Sequence, residues 1–186
     1  GVLEAGEEFG LMVIAPAHHR RIAAGILSWG QDLDHETSPF QVNLSYQVPR
    51  NKESDYIGKE ELERQRDTID AGNAPFKMKM VGITLGGKEI TDYAPDFWLI
   101  ADTDGNDMGY VTSPWWSPEL ETNIALAWVP WSSSEIGTKL LVKLPDEYAT
   151  NPGEPVEGEV VEVPFRASVN PNKREVEAAK GLDFAE

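Results

Sequence analysis

The second half of the chain is a series of short apolar segments separated by turn residues, and this pattern restricts the fold more than any other feature. From about residue 76, six segments rich in β-branched and aromatic residues alternate with Gly, Pro, Asp and Asn. These segments are KMKMVGITL, DFWLIAD, MGYVTS, NIALAWV, TKLLVKL and VEGEVVEVPF. Strands this short and this evenly spaced predict a small barrel or a sandwich. DTDGND, between the second and third segments, contains Asp-Gly, a strong hairpin signal.

The part of the chain before these strands is predicted to be mainly helical. VLEAGEEFG near the start reads as the middle of an amphipathic helix, with Val2, Leu3 and Phe9 as core positions. Because the chain opens inside this helix, we expect it to be a fragment of a longer protein. Residues 17–24 favour a second helix, preceded by a proline and ended by a glycine.

Two further elements are predicted in the front portion. A helix is expected over 57–72, where Ile57, Leu62 and Ile69 offer an apolar stripe and a glycine closes the pattern. Residues 42–48 alternate between apolar and polar side chains, which indicates a short strand.

These elements predict an α+β fold in three parts. A helical front portion is followed by a six-stranded β-barrel-like C-terminal domain and a polar tail. The expected bounds are 1–74 for the front portion, 75–168 for the barrel and 169–186 for the tail.

The acidic composition excludes several classes of partner. The chain has 32 acidic and 16 basic residues, for a formal net charge of -16. A surface this acidic repels phosphates and anionic lipid, so neither nucleic acid nor membrane is expected as a partner. The absence of cysteine excludes disulfides and thiolate chemistry. No apolar run approaches the ~20 residues of a membrane span, and we expect a cytoplasmic location.

No catalytic or metal-binding constellation emerges from the residues themselves. His18 and His19 are adjacent, so on a helix they point in different directions and cannot share a metal ion. The acidic run DTDGND lacks the glycine position and the final glutamate of a calcium loop, and a hairpin turn explains it better. No phosphate loop, dinucleotide fingerprint or nucleophile elbow occurs. The sequence therefore predicts no metal site, and the catalytic residues are unknown.

The order of several weak motifs carries more information than any one of them. The chain contains, in sequence, RIAAG, SWGQDLD, SPFQV, YIGKEEL, MVGITLGG, VTSPWWSP and NIALAWV. This order resembles the C-terminal half of the glycine cleavage T-protein (aminomethyltransferase) family, which includes folate-dependent demethylases such as dimethylsulfoniopropionate demethylase. The matches extend from about residue 3 to residue 165.

The resemblance implies a three-domain folate-binding fold with tetrahydrofolate in a central channel. This chain would supply the end of the middle domains and the whole C-terminal barrel. The catalytic aspartate of the family lies in the N-terminal half, outside this chain. The partners implied are folate and a small methyl or aminomethyl donor.

Individual positions are carried over from the family one at a time. Trp29 stands at an aromatic position of the channel, where it would stack on the pterin or pack beneath the helix. Gln41 replaces a glutamate that pairs with the pterin edge. Lys79 stands at a basic position that helps to hold the anionic tail of folate, and Arg21 is expected to be structural.

Two adjacent tryptophans complete the predicted cofactor site. VTSPWWSP corresponds to a Thr-Ser-Gly-x-x-Ser-Pro turn that joins two barrel strands facing the channel. Strand alternation places Trp115 and Trp116 on opposite sides, so one ring is expected to pack into the barrel and the other to face the channel.

Departures from the family pattern favour a divergent member. Ala23, Gln41 and Pro114 replace typical family residues, and RIAAGILSWGQD is closer to the demethylase branch. The sequence therefore predicts the C-terminal fragment of a tetrahydrofolate-dependent C1 transferase that is inactive alone. The alternative is a non-catalytic barrel that serves as an interaction or gating module. Apolar surface left by truncation could also support a dimer.

Overall fold

The computed structural model describes residues 1–13, 17–50 and 52–165, and most of it is a closed β-barrel. The strands follow one another around the barrel in the order β1-β4-β3-β2-β5-β6, and β6 pairs back with β1. Every pairing is antiparallel. The six-stranded barrel predicted from the sequence is thus confirmed. Its strands are β1 (Met78–Leu85), β2 (Trp98–Ala101), β3 (Asp107–Ser117), β4 (Thr122–Pro130), β5 (Lys139–Val142) and β6 (Val156–Val161).

The predicted DTDGND hairpin connects β2 to β3. The two strands pair from Trp98 opposite Val111 to Ala101 opposite Asp107. The Asp102 carboxylate accepts hydrogen bonds from backbone and side-chain N–H groups within this turn. The acidic run is therefore a hairpin turn held by its own first aspartate.

In the described part of the front portion, three α-helices precede the barrel. They are α1 (Val2–Gly6), α2 (His18–Ala23) and α3 (Lys59–Asp70), and a 3-10 turn extends α1 over Glu7–Phe9. The helices predicted over 17–24 and 57–72 are confirmed, with slightly shorter bounds. Gly25, at φ 70°, ends α2 in the left-handed conformation that glycine adopts without strain. The proline before α2 and the predicted polar tail lie outside the described residues. None of the helices among those residues is long and apolar enough to cross a bilayer.

The two faces of the barrel wall belong to two different apolar clusters. Val81, Ile83 and Leu85 point into the barrel and join its interior cluster. Met80, on the opposite face of the same strand, joins a second cluster outside the barrel. This division follows from the period of two along a strand.

The second cluster attaches the front portion to the barrel. Ile22 and Ala23 of α2, together with Val42, are at most 5% exposed. They pack on side chains of β1 and β4 that point away from the barrel interior, namely Met80, Ile124, Leu126 and Trp128. The outer face of the barrel is therefore part of the protein core where α2 covers it.

The short strand predicted over 42–48 is wrong. Residues Ser45–Gln47 form a 3-10 turn instead. Asn43 has a φ of 61°, which reverses the chain, and the Leu44 N–H donates to the Pro39 carbonyl. The alternation of apolar residues here reflects a loop that buries Val42 against the barrel, without a partner strand.

Several predicted core positions in the helices are also wrong. Val2, Leu3 and Phe9 are between 61% and 81% exposed, and Ile57 is fully exposed. Leu62 and Ile69 of α3 are only half-buried. The buried side chains of α3 are polar, namely Gln65 and Arg66. The apolar pattern of these segments therefore does not predict which of their side chains are buried in this structure.

The VTSPWWSP stretch is not a turn between strands but lies largely within β3. Pro114 fits inside a strand because β2 pairs with β3 only as far as Val111, opposite Trp98. At Pro114 the edge of β3 that faced β2 no longer has a partner strand, so the absence of an N–H group there breaks no ladder hydrogen bond. The opposite edge of β3 continues to pair with β4. The turn comes after β3, between Ser117 and Thr122.

Gly109 of β3 tests how tightly the barrel wall is packed. A Cβ added at this position would lie 2.2 Å from the backbone oxygen of Trp128. Backbone in a paired strand cannot move away cheaply, so Gly109→Ala is expected to lower the free energy of unfolding by roughly 2–3 kcal/mol. A Cβ at Gly86 would meet nothing closer than 3.7 Å, so Gly86→Ala serves as the matched control. Equal stability of the two variants in urea denaturation would contradict this packing.

Candidate functional site

The buried Asp32 carboxylate accepts four hydrogen bonds from three parts of the chain. The residue is 1% exposed. One carboxylate oxygen accepts from Arg21 Nη1 and from the Ser28 backbone N–H, both at 2.8 Å. The other accepts from the hydroxyls of Thr112 and Ser113, both at 2.6 Å. Arg21 Nη2 also donates to the Ser113 hydroxyl at 2.7 Å, which closes the network. The expected structural role of Arg21 is confirmed.

A bulge in β3 brings both hydroxyls to the same carboxylate. The pairing of β3 with β4 shifts between Val111 and Ser113, so Thr112 has no partner opposite it. Consecutive side chains of a regular strand point to opposite faces. The bulge removes that restriction and lets Thr112 and Ser113 both reach Asp32.

The same aspartate holds the turn that displays Trp29. Gly30, with a φ of 80°, allows the tight turn, and its N–H donates to the Leu33 carbonyl at 2.8 Å. The indole N–H of Trp128 donates to the Asp32 carbonyl at 2.9 Å, which ties the turn to the barrel. Trp29 at the tip is 68% exposed. A large aromatic ring is therefore presented to solvent by a turn anchored in the core.

An aromatic cluster lies on the other side of Arg21. The His18 ring is 4.5 Å from the Tyr93 ring and 4.9 Å from the Trp115 ring, centroid to centroid. Burial and the positive charge of Arg21 lower the pKa of His18 from 6.5 to about 4, while Asp32 opposes the shift. His18 is therefore a neutral, half-buried partner of Arg21 rather than part of an exposed helical turn.

The Gln41 side chain is engaged at both ends of its amide. Its oxygen accepts from the Ser38 N–H at 3.1 Å, and its nitrogen donates to the Met78 carbonyl at 3.2 Å. Its backbone carbonyl accepts from the Met80 N–H at 2.8 Å. Gln41 therefore joins the front loop to the beginning of β1.

Lys79 has a different environment. Its ammonium lies 5.1 Å from the centroid of the Trp131 ring. Burial lowers the pKa of this lysine. It lines a cleft of about 480 Å³ that also contains Arg66 of α3 and does not include Trp29 among its lining residues.

The two tryptophans of β3 differ in their surroundings, but the expectation that one ring packs into the barrel is wrong. Trp115 packs against the cluster between the front portion and the barrel, with His18 and Tyr93. Trp116 is half-buried, and its backbone N–H donates to the Ile90 carbonyl at 2.8 Å. Neither ring belongs to the interior cluster of the barrel.

The five residues predicted to bind the cofactor do not share contacts with one another. Among the parts of the chain that the structure describes, no hydrogen bond or ring contact joins any two of them. These residues are Trp29, Gln41, Lys79, Trp115 and Trp116.

Sequence reasoning missed the residues that build the site. Asp32 lies in SWGQDLD and Thr112 with Ser113 in VTSPWWSP, so both motifs were visible in the sequence. Asp32 precedes these two hydroxyl residues by 80 and 81 positions, so no local pattern in the sequence indicates that they meet. Their proximity depends on the bulge in β3 and on how α2 packs.

Comparison with known proteins agrees with this architecture. Residues 79–167 match the family model described as the glycine cleavage T-protein C-terminal barrel domain. The barrel belongs to this T-protein family. The fold of this chain is similar to that of aminomethyltransferase T of the glycine cleavage system from Bartonella henselae, with a TM-score of 0.62 and 23% identity, over 80% of this chain and 37% of that one.

Relatives extend the similarity beyond the T-protein barrel. The aminomethyltransferase of Thermotoga maritima is 37% identical over 157 residues, which is 84% of this chain and 37% of the relative. The aminomethyltransferase of Synechococcus sp. strain CC9902 is 36% identical over 124 residues, or 67% of this chain and 31% of the relative. The alignments thus span about a third of the length of these two relatives.

Asp32→Asn tests the attachment of the front portion to the T-protein barrel. The substitution replaces one carboxylate oxygen by an NH₂ group, which would face hydrogen-bond donors of the surrounding residues. It also removes the negative charge that pairs with Arg21. We expect the free energy of unfolding to fall by about 3–5 kcal/mol, as when a buried ion pair loses one partner. Asp96→Asn, at an exposed position, is the control and should change stability little. Similar melting temperatures for both variants would contradict the assignment.

His18 gives the barrel a predicted pH dependence. Because its pKa is about 4 in the folded protein and 6.5 in the reference state, the unfolded chain binds the proton first as the pH falls. This contribution lowers stability progressively between pH 6.5 and pH 4. His18→Gln should therefore make the dependence of melting temperature on pH shallower in this interval. An unchanged slope in His18→Gln would refute the prediction.

Proposed function

We propose that this chain forms the C-terminal part of a tetrahydrofolate-dependent C1 transferase of the aminomethyltransferase or demethylase type. The observation that carries the proposal is the exposed Trp29 ring, held by the Asp32 network beside a barrel of the T-protein family. A flat aromatic face fixed by a rigid turn suits stacking against a pterin. In the whole protein, the remaining domains would supply the catalytic residues and close the channel.

The predicted contacts fit a folate to different degrees. Trp29 offers a free face, so it is the strongest candidate. The Gln41 amide already bonds to Ser38 and Met78, which favours a role in holding the loop. Trp115 is enclosed by His18 and Tyr93, which favours packing.

The partners proposed are folate and a small methyl or aminomethyl donor. A donor such as an amine or sulfonium carries positive charge, and the net charge of -16 favours its approach. Dimerisation through exposed apolar side chains and a cytoplasmic location stay predictions. The exposed apolar side chains at the start of the chain are Val2, Leu3, Phe9, Leu11, Met12 and Val13.

A chimeric enzyme tests the function directly. This chain would replace the matching C-terminal 37% of the Thermotoga maritima aminomethyltransferase. We expect tetrahydrofolate-dependent release of methylene-tetrahydrofolate by the chimera and none by this chain alone. A folded chimera without activity would favour the non-catalytic barrel module. Turnover by the isolated chain would refute the assignment of catalysis to the missing domains.

Trp29→Ala in the chimera tests the stacking contact. Loss of about 0.5–1.5 kcal/mol of ring interaction should weaken tetrahydrofolate binding roughly threefold to tenfold, measured by anaerobic calorimetry. Phe9→Ala removes another ring, 81% exposed, and should leave the affinity unchanged. Equal effects of the two substitutions would remove Trp29 from the site.

A further inference from the structure

A small cleft lies on the outer face of the barrel, where β3 meets the loop that follows α2. Its volume is about 150 Å³, and its lining includes Asp34, Phe97, Tyr110 and Trp128. Sites for whole small molecules usually enclose roughly 300–1,000 Å³. The cleft is therefore too small for a complete cofactor, but it has room for the end of one long side chain.

Two stacked rings form one wall of this cleft. The rings of Phe97 and Tyr110 lie 5.2 Å apart, centroid to centroid, with an angle of 22° between their planes. Stacking covers one face of each ring, yet Phe97 is still 52% exposed. The face of an aromatic ring carries partial negative charge and attracts cations. The wall therefore suits a positively charged group.

The hydroxyl of Tyr110 has hydrogen-bonding capacity left over. The residue is half-buried, and within the described ranges of the chain its hydroxyl has no hydrogen-bond partner. Tyrosine hydroxyls that are withdrawn from solvent usually have one. Burial raises the pKa of Tyr110, and the negative charge of Asp34 adds to the shift. The hydroxyl therefore stays neutral near physiological pH and can accept a hydrogen bond from a ligand.

The cleft is acidic. Among the described residues its lining contains Asp32 and Asp34 but no lysine, arginine or histidine. Asp32 is neutralised by Arg21, whereas Asp34 forms no ion pair with a lysine or arginine of the described part of the chain. The neighbouring His35 acts on Asp34 electrostatically from outside the lining. An exposed carboxylate thus stands beside the aromatic wall without a strong cationic partner.

An apolar surface continues from the cleft along β2. Leu99 lies directly opposite Tyr110 in the pairing of β2 with β3, and it is 48% exposed. The residues on either side of Leu99 belong to the interior cluster, so its own side chain points outward. Lys143, whose backbone N–H donates to the Leu99 carbonyl, is paired with Asp107. This lysine therefore does not neutralise the acidic cleft.

We propose that this face of the barrel docks a basic segment of a partner protein, with an arginine head in the cleft and a neighbouring apolar side chain on Leu99. The guanidinium would lie over the Phe97 ring and donate to the Asp34 carboxylate and the Tyr110 hydroxyl. A planar guanidinium suits this site because it stacks on rings and donates along its edge. The net charge of -16 favours the approach of a basic partner. The inference does not rest on the proposed C1 transfer, because Trp29 is not among the residues that line the cleft.

Titration of the full chain with defined peptides tests the proposal. The probe is acetyl-Ala-Leu-Arg-Leu-Ala-amide, and the matched control carries neutral citrulline in place of arginine. Binding is followed by the backbone amide signals of Phe97, Leu99 and Tyr110 in heteronuclear NMR spectra. We expect saturable shifts of these signals with the arginine peptide. Loss of the charge should weaken binding by about threefold or more with the citrulline peptide.

Asp34→Asn and Asp146→Asn form a matched pair of variants. Both aspartates are exposed and accept a backbone N–H, from Glu36 and Gly153 respectively. Asparagine keeps an acceptor oxygen for that bond and removes the charge. Asp34→Asn should weaken binding of the arginine peptide roughly twofold to fivefold, whereas Asp146→Asn should leave it unchanged. Phe97→Leu keeps an apolar contact without the ring and should weaken binding by about the same factor as Asp34→Asn.

Four results would overturn the proposal. Equal binding of the arginine and citrulline peptides would indicate an apolar contact alone. Equal weakening in the two asparagine variants would indicate general attraction to the acidic surface. Arginine amide that binds as tightly as the peptide would indicate a small-molecule site, and absence of binding at millimolar peptide would leave the cleft without this partner. Folate takes no part in these titrations, so their failure and a failure of the C1-transfer proposal are separable.

Discussion

The Asp32 carboxylate adds a buried polar junction to the apolar packing that attaches the front portion to the barrel. It accepts hydrogen bonds from α2, from the Trp29 turn and from two hydroxyls of β3, and it is almost completely buried. An ionised group in this position is tolerated only when its acceptor sites are filled. The bulge in β3 supplies the second pair of donors, so the irregular strand and the buried charge depend on each other.

The two arginines that reach the core illustrate opposite situations. Arg21 meets Asp32 at 2.8 Å and also donates to Ser113. Arg66 is more deeply buried; within the described part of the chain its guanidinium donates to the Val48 carbonyl and lies over the Phe40 ring, and it interacts electrostatically with Asp70. Arg21 therefore shares a buried carboxylate with the barrel, whereas Arg66 joins α3 to the loop before it.

The barrel could be predicted because its information is local. Each strand carries its own apolar alternation and is followed by turn residues, as in DTDGND between β2 and β3. The helical front was harder, because its short helices bury few residues and α3 buries Gln65 and Arg66 instead of its apolar residues. The segment around Val42 alternates like a strand, yet Asn43 reverses the chain and no strand lies beside it. Pro114 favoured a turn prediction, because the sequence does not show that β3 has no partner strand on one edge at this position.

The sequence alone determined the six strands and the helices over most of their length, since both depend on residue order and periodicity. The order of its motifs indicated the family of the barrel through resemblance. Only the tertiary structure decided that Asp32 meets Thr112 and Ser113, and that Lys79 meets the cleft containing Arg66. Such encounters join residues from distant parts of the chain, and they are set by barrel closure and helix packing, which no local pattern encodes.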